Sequence, residues 1–178
     1  MNEKKVLIVV DMQNDFIDGA LGTKEAEAIV PAAAARIRKA REDGYTVIAT
    51  LDTHGEDYMQ TAEGRMLPVP HCIKGTNGWE LNPEIQAAAG ECTLVEKPTF
   101  GSTKLPGIVA EAGRDADQLT IELLGLCTDI CVVSNALMLK AHFPQANLAV
   151  HAACCAGVTP AKHDAALETM QSCQISLI

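Results

Sequence analysis

Short aliphatic runs return along this chain between longer amphipathic or alanine-rich segments, and that alternation limits the fold more than any other feature. The runs are VLIVV at 6–10, TVIAT at 46–50, TLVE at 93–96, LTIELL at 119–124 and the segment 148–150. A continuous apolar run reads as a strand buried on both faces, and such strands belong to a parallel sheet with helices packed on either side. Helices are expected at 26–41, after Pro83, from Pro106 to Ala112, at 129–141, and from the Thr159-Pro160 cap to about Cys173, with a sixth strand at 175–178. The first of these gathers Arg36, Arg38, Lys39 and Arg41 toward its end, where cations suit the helix dipole, and Gly44 stops it. The expected architecture is therefore a three-layer, doubly wound α/β fold. It has about six mostly parallel strands with helices on both faces, and residues 1–178 form a single domain. The stretch 51–78, rich in Pro and Gly, is the one long irregular connection, and loops of that length in a compact domain usually carry function.

Composition narrows the class. Hydrophobic residues make up 48% of the chain and aromatic residues only 3%, so the core must be built from Val, Ile, Leu and Ala. Fourteen Lys+Arg against 23 Asp+Glu give a net charge of −9, which repels phosphate backbones and argues against nucleic acid as a partner. The apolar run near the start falls far short of the roughly 20 residues that span a bilayer, and no basic region leads into a secretory signal. Seven cysteines, an odd number in spacings unlike a disulfide framework, fit a reduced, cytoplasmic setting.

In a parallel sheet, chemistry gathers beyond the carboxyl ends of the strands. Asp11 stands after the first run, Asp52 and His54 after the second, Lys97 after the third, and Cys127-Thr128-Asp129-Ile130-Cys131 after the fourth. Four strand ends thus deliver an acid, two metal-binding groups, an amine and a thiol to one edge. A carboxylate at Asp11 is costly to desolvate without a partner; it either caps the next turn or serves as a general base. Asp15 and Asp18 read as turn and capping residues. Most lysines are solvated surface charges, but an ammonium at Lys97, facing Asp11 between a carboxylate and a thiol, stabilises both anions. Cys131 is either a small buried hydrophobe or a nucleophile. At the first turn of the following helix, the partial positive charge lowers a thiol pKa and the backbone N–H groups suit an oxyanion, which favours Cys131 over Cys127. Cys72, Cys92, Cys154, Cys155 and Cys173 are assigned to packing or exposure. Asp52, His54 and His71 offer a carboxylate and two imidazoles, a set that suits zinc, iron or manganese, with Glu63 in the same loop as a fourth ligand. His142, His151 and His163 read as surface or helix residues, and the basic cluster at 36–41 as a solvated face.

These residues stand in a recognisable order. The segments are Leu7-Ile8-Val9-Val10-Asp11-Met12-Gln13-Asn14-Asp15-Phe16, Asp52-Thr53-His54, Pro70-His71-Cys72-Ile73-Lys74-Gly75, Glu96-Lys97, Gly125-Leu126-Cys127-Thr128-Asp129-Ile130-Cys131-Val132, and Cys154-Cys155-Ala156-Gly157 on to His163. Through nearly its whole length the chain resembles the isochorismatase-like cysteine hydrolases, and within them it is most similar to the nicotinamidases. The resemblance implies a catalytic triad of Asp11, Lys97 and Cys131. It implies one divalent metal ion, zinc first and iron or manganese next, on Asp52, His54 and His71 with Glu63. It also implies a cis peptide between Leu126 and Cys127, and an oxyanion hole from the Cys127 and Cys131 N–H groups. Many nicotinamidases carry a tryptophan shortly before the histidine matching His71; here the stretch is Met66-Leu67-Pro68-Val69-Pro70, so Phe16 and Leu67 are expected to flank the substrate ring. The implied reaction is hydrolysis of a small-molecule amide, nicotinamide, to nicotinate and ammonia through a thioester, in NAD salvage, by a homo-oligomer. The alternatives are an isochorismatase-like or other small-amide hydrolase on the same triad, or a catalytically idle binding subunit.

Overall fold

A computed structural model describes residues 2–178 of the chain. Six parallel strands form one sheet in the order β3-β2-β1-β4-β5-β6. They are β1 (Glu3–Val10), β2 (Thr46–Asp52), β3 (Thr93–Lys97), β4 (Gln118–Leu126), β5 (Asn147–Ala156) and the short β6 (Ser176–Leu177). The apolar runs named above form their centres. The strands extend beyond those runs, most of all at β5, because ladder hydrogen bonds tolerate polar and small residues where neighbours cover them.

Alternation along β1 shows how the layers form. Leu7 and Val9 point into one core, with Ala33, Ala34 and Ile37 of α2 (Lys24–Glu42) and Ile85 of α4 (Pro83–Ala89). Val6, Ile8 and Val10 point into the other, with Leu105 and Val109 of α5 (Leu105–Ala112), Leu139 of α6 (Val133–His142) and Met170 of α7 (Pro160–Ser172). Three layers result, as the strand pattern requires. The helix expected at 129–141 is not uniform: Thr128–Val132 is a π turn, and α-helix begins only at Val133. The long irregular connection contains 3-10 turns at Tyr58–Gln60 and Asn77–Trp79 and the short helix α3 (Ala62–Met66). A further short helix, α1 (Asn14–Ile17), follows β1.

Two surface readings are corrected. Arg36 is not part of a solvated face, and His151 is not solitary. Glu122 of β4 accepts hydrogen bonds from Arg36 Nη2 at 2.6 Å and Tyr45 Oη at 2.8 Å, and meets His151 Nε2 at 2.6 Å. Burial alone would raise this carboxyl, but the bonds to His151, Arg36 and Tyr45 outweigh it and hold the pKa down at about 2. The cluster fastens α2 to the middle of the sheet.

The chain passes from β1 outward to β3, then crosses back to β4 on the other side of β1. The strand order therefore reverses between β1 and β4, and their carboxyl ends splay around a crevice. Gly125 makes the close approach possible there. Its φ is +126°, and a Cβ on it would lie 2.1 Å from the Val10 carbonyl oxygen.

Candidate active site

Asp11 is the first residue beyond β1, fully buried and in the left-handed region at φ +47°. A non-glycine residue there is strained, and such strain persists only where neighbours impose it. Here the imposing neighbour is Thr50 of β2. The Asp11 N–H donates to the Thr50 carbonyl and hydroxyl oxygens, both at 3.2 Å, and the Thr50 hydroxyl donates to Asp11 Oδ1 at 2.6 Å. Asp11 Oδ2 has no directed hydrogen bond and lies 2.6 Å from Lys97 Nζ as an ion pair.

Lys97 ends the edge strand β3, two strand spacings from β1, or about 10 Å. Only a long side chain crosses that gap, and its ammonium ends up 1% exposed. Nζ donates to the Thr99 carbonyl at 3.1 Å and to Cys131 Sγ at 3.4 Å. Three residues remote in sequence therefore meet in one buried group. Asp129 and His163 brace the turn that carries Cys131. Asp129 accepts from the Val158 N–H at 2.9 Å, and His163 Nδ1 meets the Thr128 hydroxyl at 2.8 Å, so His163 is not an isolated helix residue.

The thiol does not have the low pKa expected of a helix start. Burial pushes Cys131 well above its ordinary value, the Asp11 charge adds to this, and the Lys97 ammonium only partly opposes it. Burial also raises Asp11, against the pull of Lys97. Lys97 is raised: desolvation disfavours its charge, but Asp11, Cys131 and Asp52 together outweigh desolvation. The resting site is a thiol beside a carboxylate–ammonium pair.

Across the same crevice stand Asp52, His54, Glu63 and His71. One ligand atom from each lies within 4.8 Å of the others. Asp52 Oδ2 is 3.1 Å from His54 Nε2 and 3.4 Å from His71 Nε2, and Glu63 Oε1 is 3.7 and 3.6 Å from the same nitrogens. His71 Nδ1 lies 2.8 Å from the Val69 carbonyl; donating there fixes the tautomer and leaves Nε2 to bind. Two imidazoles and two carboxylates are donors that zinc, iron or manganese accept. Burial and the Asp52 charge raise Glu63, a repulsion that a cation between the carboxylates relieves. The residues thus fit a divalent ion.

Both clusters open into one cavity of about 740 Å³, lined also by Phe16, Met66, Leu67, Phe100 and Cys127. Phe16 tilts against His71 with ring centroids 5.5 Å apart, while Leu67 stands at the rim. The Leu126–Cys127 peptide is cis, as the resemblance implied. A more open groove of about 680 Å³ beside β3 and α5 contains none of these groups.

Sequence reasoning passes over the residues that hold these groups in place. Gln13 grips the backbone of Asp52 from both sides: its Nε2 donates to the Asp52 carbonyl at 2.9 Å and its Oε1 accepts from the Asp52 N–H at 2.8 Å. Buried Asn135 donates to the Cys131 carbonyl at 2.8 Å and accepts from the Ser102 N–H at 2.9 Å. Tyr58 packs edge-on against His54 and His71, with centroids at 4.8 and 5.0 Å. Asp15 is more than a turn residue. Its Oδ2 accepts from the N–H of Cys72 at 2.8 Å, beside His71 and at a φ of +48°.

A family model described as the isochorismatase domain matches residues 5–178. The nicotinamidase/pyrazinamidase of Mycobacterium tuberculosis is 28% identical over 98% of each chain. Among solved structures, the nicotinamidase/pyrazinamidase of Bacillus subtilis superposes with a TM-score of 0.83 at 29% identity, over 98% of each chain. The pyrazinamidase of Pyrococcus horikoshii in complex with zinc does so with a TM-score of 0.81 at 29% identity, also over 98% of each.

Proposed function

The chain belongs to the isochorismatase family and is a hydrolase of amide bonds, and from that premise we propose that it is a nicotinamidase, converting nicotinamide to nicotinate and ammonia through a thioester on Cys131. One observation carries the reading. Lys97 Nζ lies 2.6 Å from Asp11 Oδ2 and 3.4 Å from Cys131 Sγ, and the cluster of Asp52, His54, Glu63 and His71 faces the same cavity. In this reading the enzyme is a cytosolic homo-oligomer in NAD salvage, with zinc as its ion. Asp52, His54, Glu63 and His71 would hold a divalent ion, which would supply a Lewis acid for the ring end of the substrate.

The chain's own groups move the protons. The carboxamide lies over Cys131, with the ring held between Phe16 and Leu67. Cys131 gives its proton to Asp11 as the sulfur attacks the carbonyl carbon. Burial prepares this transfer: the thiol holds its proton until attack, and Asp11 has a raised affinity for one. Lys97 stays charged beside both, so negative charge passes from carboxylate to sulfur without leaving its counter-ion. The tetrahedral oxyanion is received by the Cys127 and Cys131 N–H groups; a preorganised donor of this kind is worth about 3 kcal/mol of barrier. Asp11 then protonates the departing amine and ammonia leaves. Water attacks the thioester as Asp11 takes its proton; the C–S bond breaks, Asp11 returns that proton to the sulfur, and the acid leaves and ionises to nicotinate, with the thiol restored. Among the described residues, the only lysine or arginine side chain at the cavity is the buried Lys97, already paired with Asp11, so none is left to hold the carboxylates of a substrate such as isochorismate.

The test is ammonia release from nicotinamide, pyrazinamide and carbamoyl compounds, with elemental analysis of the same sample. Nicotinamide turnover with near-stoichiometric zinc, iron or manganese is expected, together with loss of about 10³-fold or more in folded Cys131→Ala. Unchanged activity in that variant overturns the nucleophile, and a metal-free active protein overturns the ion.

A further inference from the structure

Nicotinamide is one six-membered ring bearing one carboxamide, yet a cavity of about 740 Å³ is of a size that takes drug-sized molecules. The space beyond the ring is bounded by apolar side chains that remain open to water. Met66, at the end of α3, is 88% exposed, and Phe100, in the loop after β3, is 47% exposed. Single exposed apolar residues need no explanation. Two of them from separate elements, lining one cavity with a buried nucleophile, form surface that an apolar ligand group takes out of water. Methionine, unbranched and polarizable, adapts to groups of different shape.

Resting on the reading of this cavity as that of an amide hydrolase, we propose that the substrate class is aromatic carboxamides carrying an uncharged apolar ring substituent. The carboxamide sits over Cys131 and the substituent against Met66 and Phe100. Nicotinamide is the unsubstituted parent of the class and leaves that surface uncovered. The chemistry is unchanged: sulfur bonds to the carboxamide carbon, the C–N bond breaks, ammonia leaves, water releases the acid, and the substituent takes no part.

The experiment measures kcat/KM of the metal-loaded enzyme for nicotinamide and for nicotinamides bearing a ring alkyl or phenyl group. The same series is repeated with Met66→Ser and Phe100→Ser, singly and together, after circular dichroism has shown them folded. The substituted amides are expected to match or exceed nicotinamide, and the double variant to lower the substituted-to-unsubstituted ratio about ten-fold, mainly through KM. Substituted amides falling ten-fold or more below nicotinamide would overturn the subsite and leave the nicotinamidase reading standing. A ratio unmoved by the variants also overturns it. Turnover of substituted amides without turnover of nicotinamide supports the subsite and overturns the nicotinamidase reading, and no turnover of any amide removes both.

Discussion

Thr50 does two things for Asp11 that an aliphatic residue in its place would not do. Its hydroxyl accepts from the strained Asp11 N–H, and it donates to Oδ1 at 2.6 Å. The second bond stabilises the carboxylate and so opposes the rise caused by burial. Thr50→Val keeps the shape and removes that donor, so Asp11 holds its proton to higher pH. The acidic limb of kcat/KM should move to higher pH and the plateau should fall about ten-fold, the cost of one hydrogen bond to a charged group. A pH–rate profile with an unmoved acidic limb would show the bond to be structural only. Asp15 invites a comparable test on the metal side. Gly78 leaves it room, since a Cβ there would stand 2.2 Å from the carboxylate, and that carboxylate orders the backbone next to His71. Asp15→Ala should weaken zinc or cobalt binding by the apoenzyme by about 10-fold, as loss of such supporting groups does, with Asp15→Asn intermediate. Competition with a chromogenic chelator reads this directly. Asp11, Lys97 and Cys131 are legible in the sequence because charge at a strand end is conspicuous. Thr50 and Gln13 are not, because a threonine in a strand and a glutamine in a turn are ordinary until register places them beside a carboxylate or a backbone.

Among the elements, α2 shows what a coarse reading of periodicity misses. Its buried residues include Ala33, Ala34, Ile37 and Ala40. Arg36 follows Ala33 by three positions and precedes Ala40 by four, so it lies on the flank of the buried stripe. Grouped with its charged neighbours, the arginine looks solvated, and its partner Glu122 is inconspicuous inside the apolar run of β4. The π turn at Thr128–Val132 escapes for another reason: apolar spacing across five residues does not distinguish a π turn from an α-helical one. The Glu122 cluster has a consequence for stability. Its folded pKa of about 2 lies below the ordinary 4.5, so its contribution is complete above pH 4.5 and is lost as pH falls toward 2. Glu122→Gln should cost about 2–3 kcal/mol at neutral pH by leaving Arg36 without its counter-charge. It should also flatten the loss of stability between pH 4.5 and 2. Urea denaturation of both proteins across that range checks the sign, and parallel curves would deny Glu122 the role.

Across the whole molecule, topology and charge act on the same opening. Reversal of strand order between β1 and β4 creates the crevice, and acids gather there: Asp52, Asp57 and Glu63 line the cavity, and Asp11 lies buried beside Lys97. Lys97 is already paired with Asp11, a divalent ion would offset Asp52 and Glu63, and what still faces the product is Asp57 within a chain that carries −9. A neutral amide enters such a site without electrostatic penalty. Its product is an anion, formed beside Asp11 just as that residue returns to its charged form. Nicotinate should therefore bind more weakly than the amide it came from, with an inhibition constant at least about 10-fold above the KM for nicotinamide. Salt screens the repulsion, so raising ionic strength from about 0.01 to 0.15 M, which shortens the Debye length from about 30 to 8 Å, should lower that constant while leaving the KM of the neutral substrate nearly unchanged. Product-inhibition kinetics at the two salt concentrations measure both quantities. Tight nicotinate binding that weakens with salt would mean that the site presents net positive charge to its product, and the acids at the strand ends would then need another purpose.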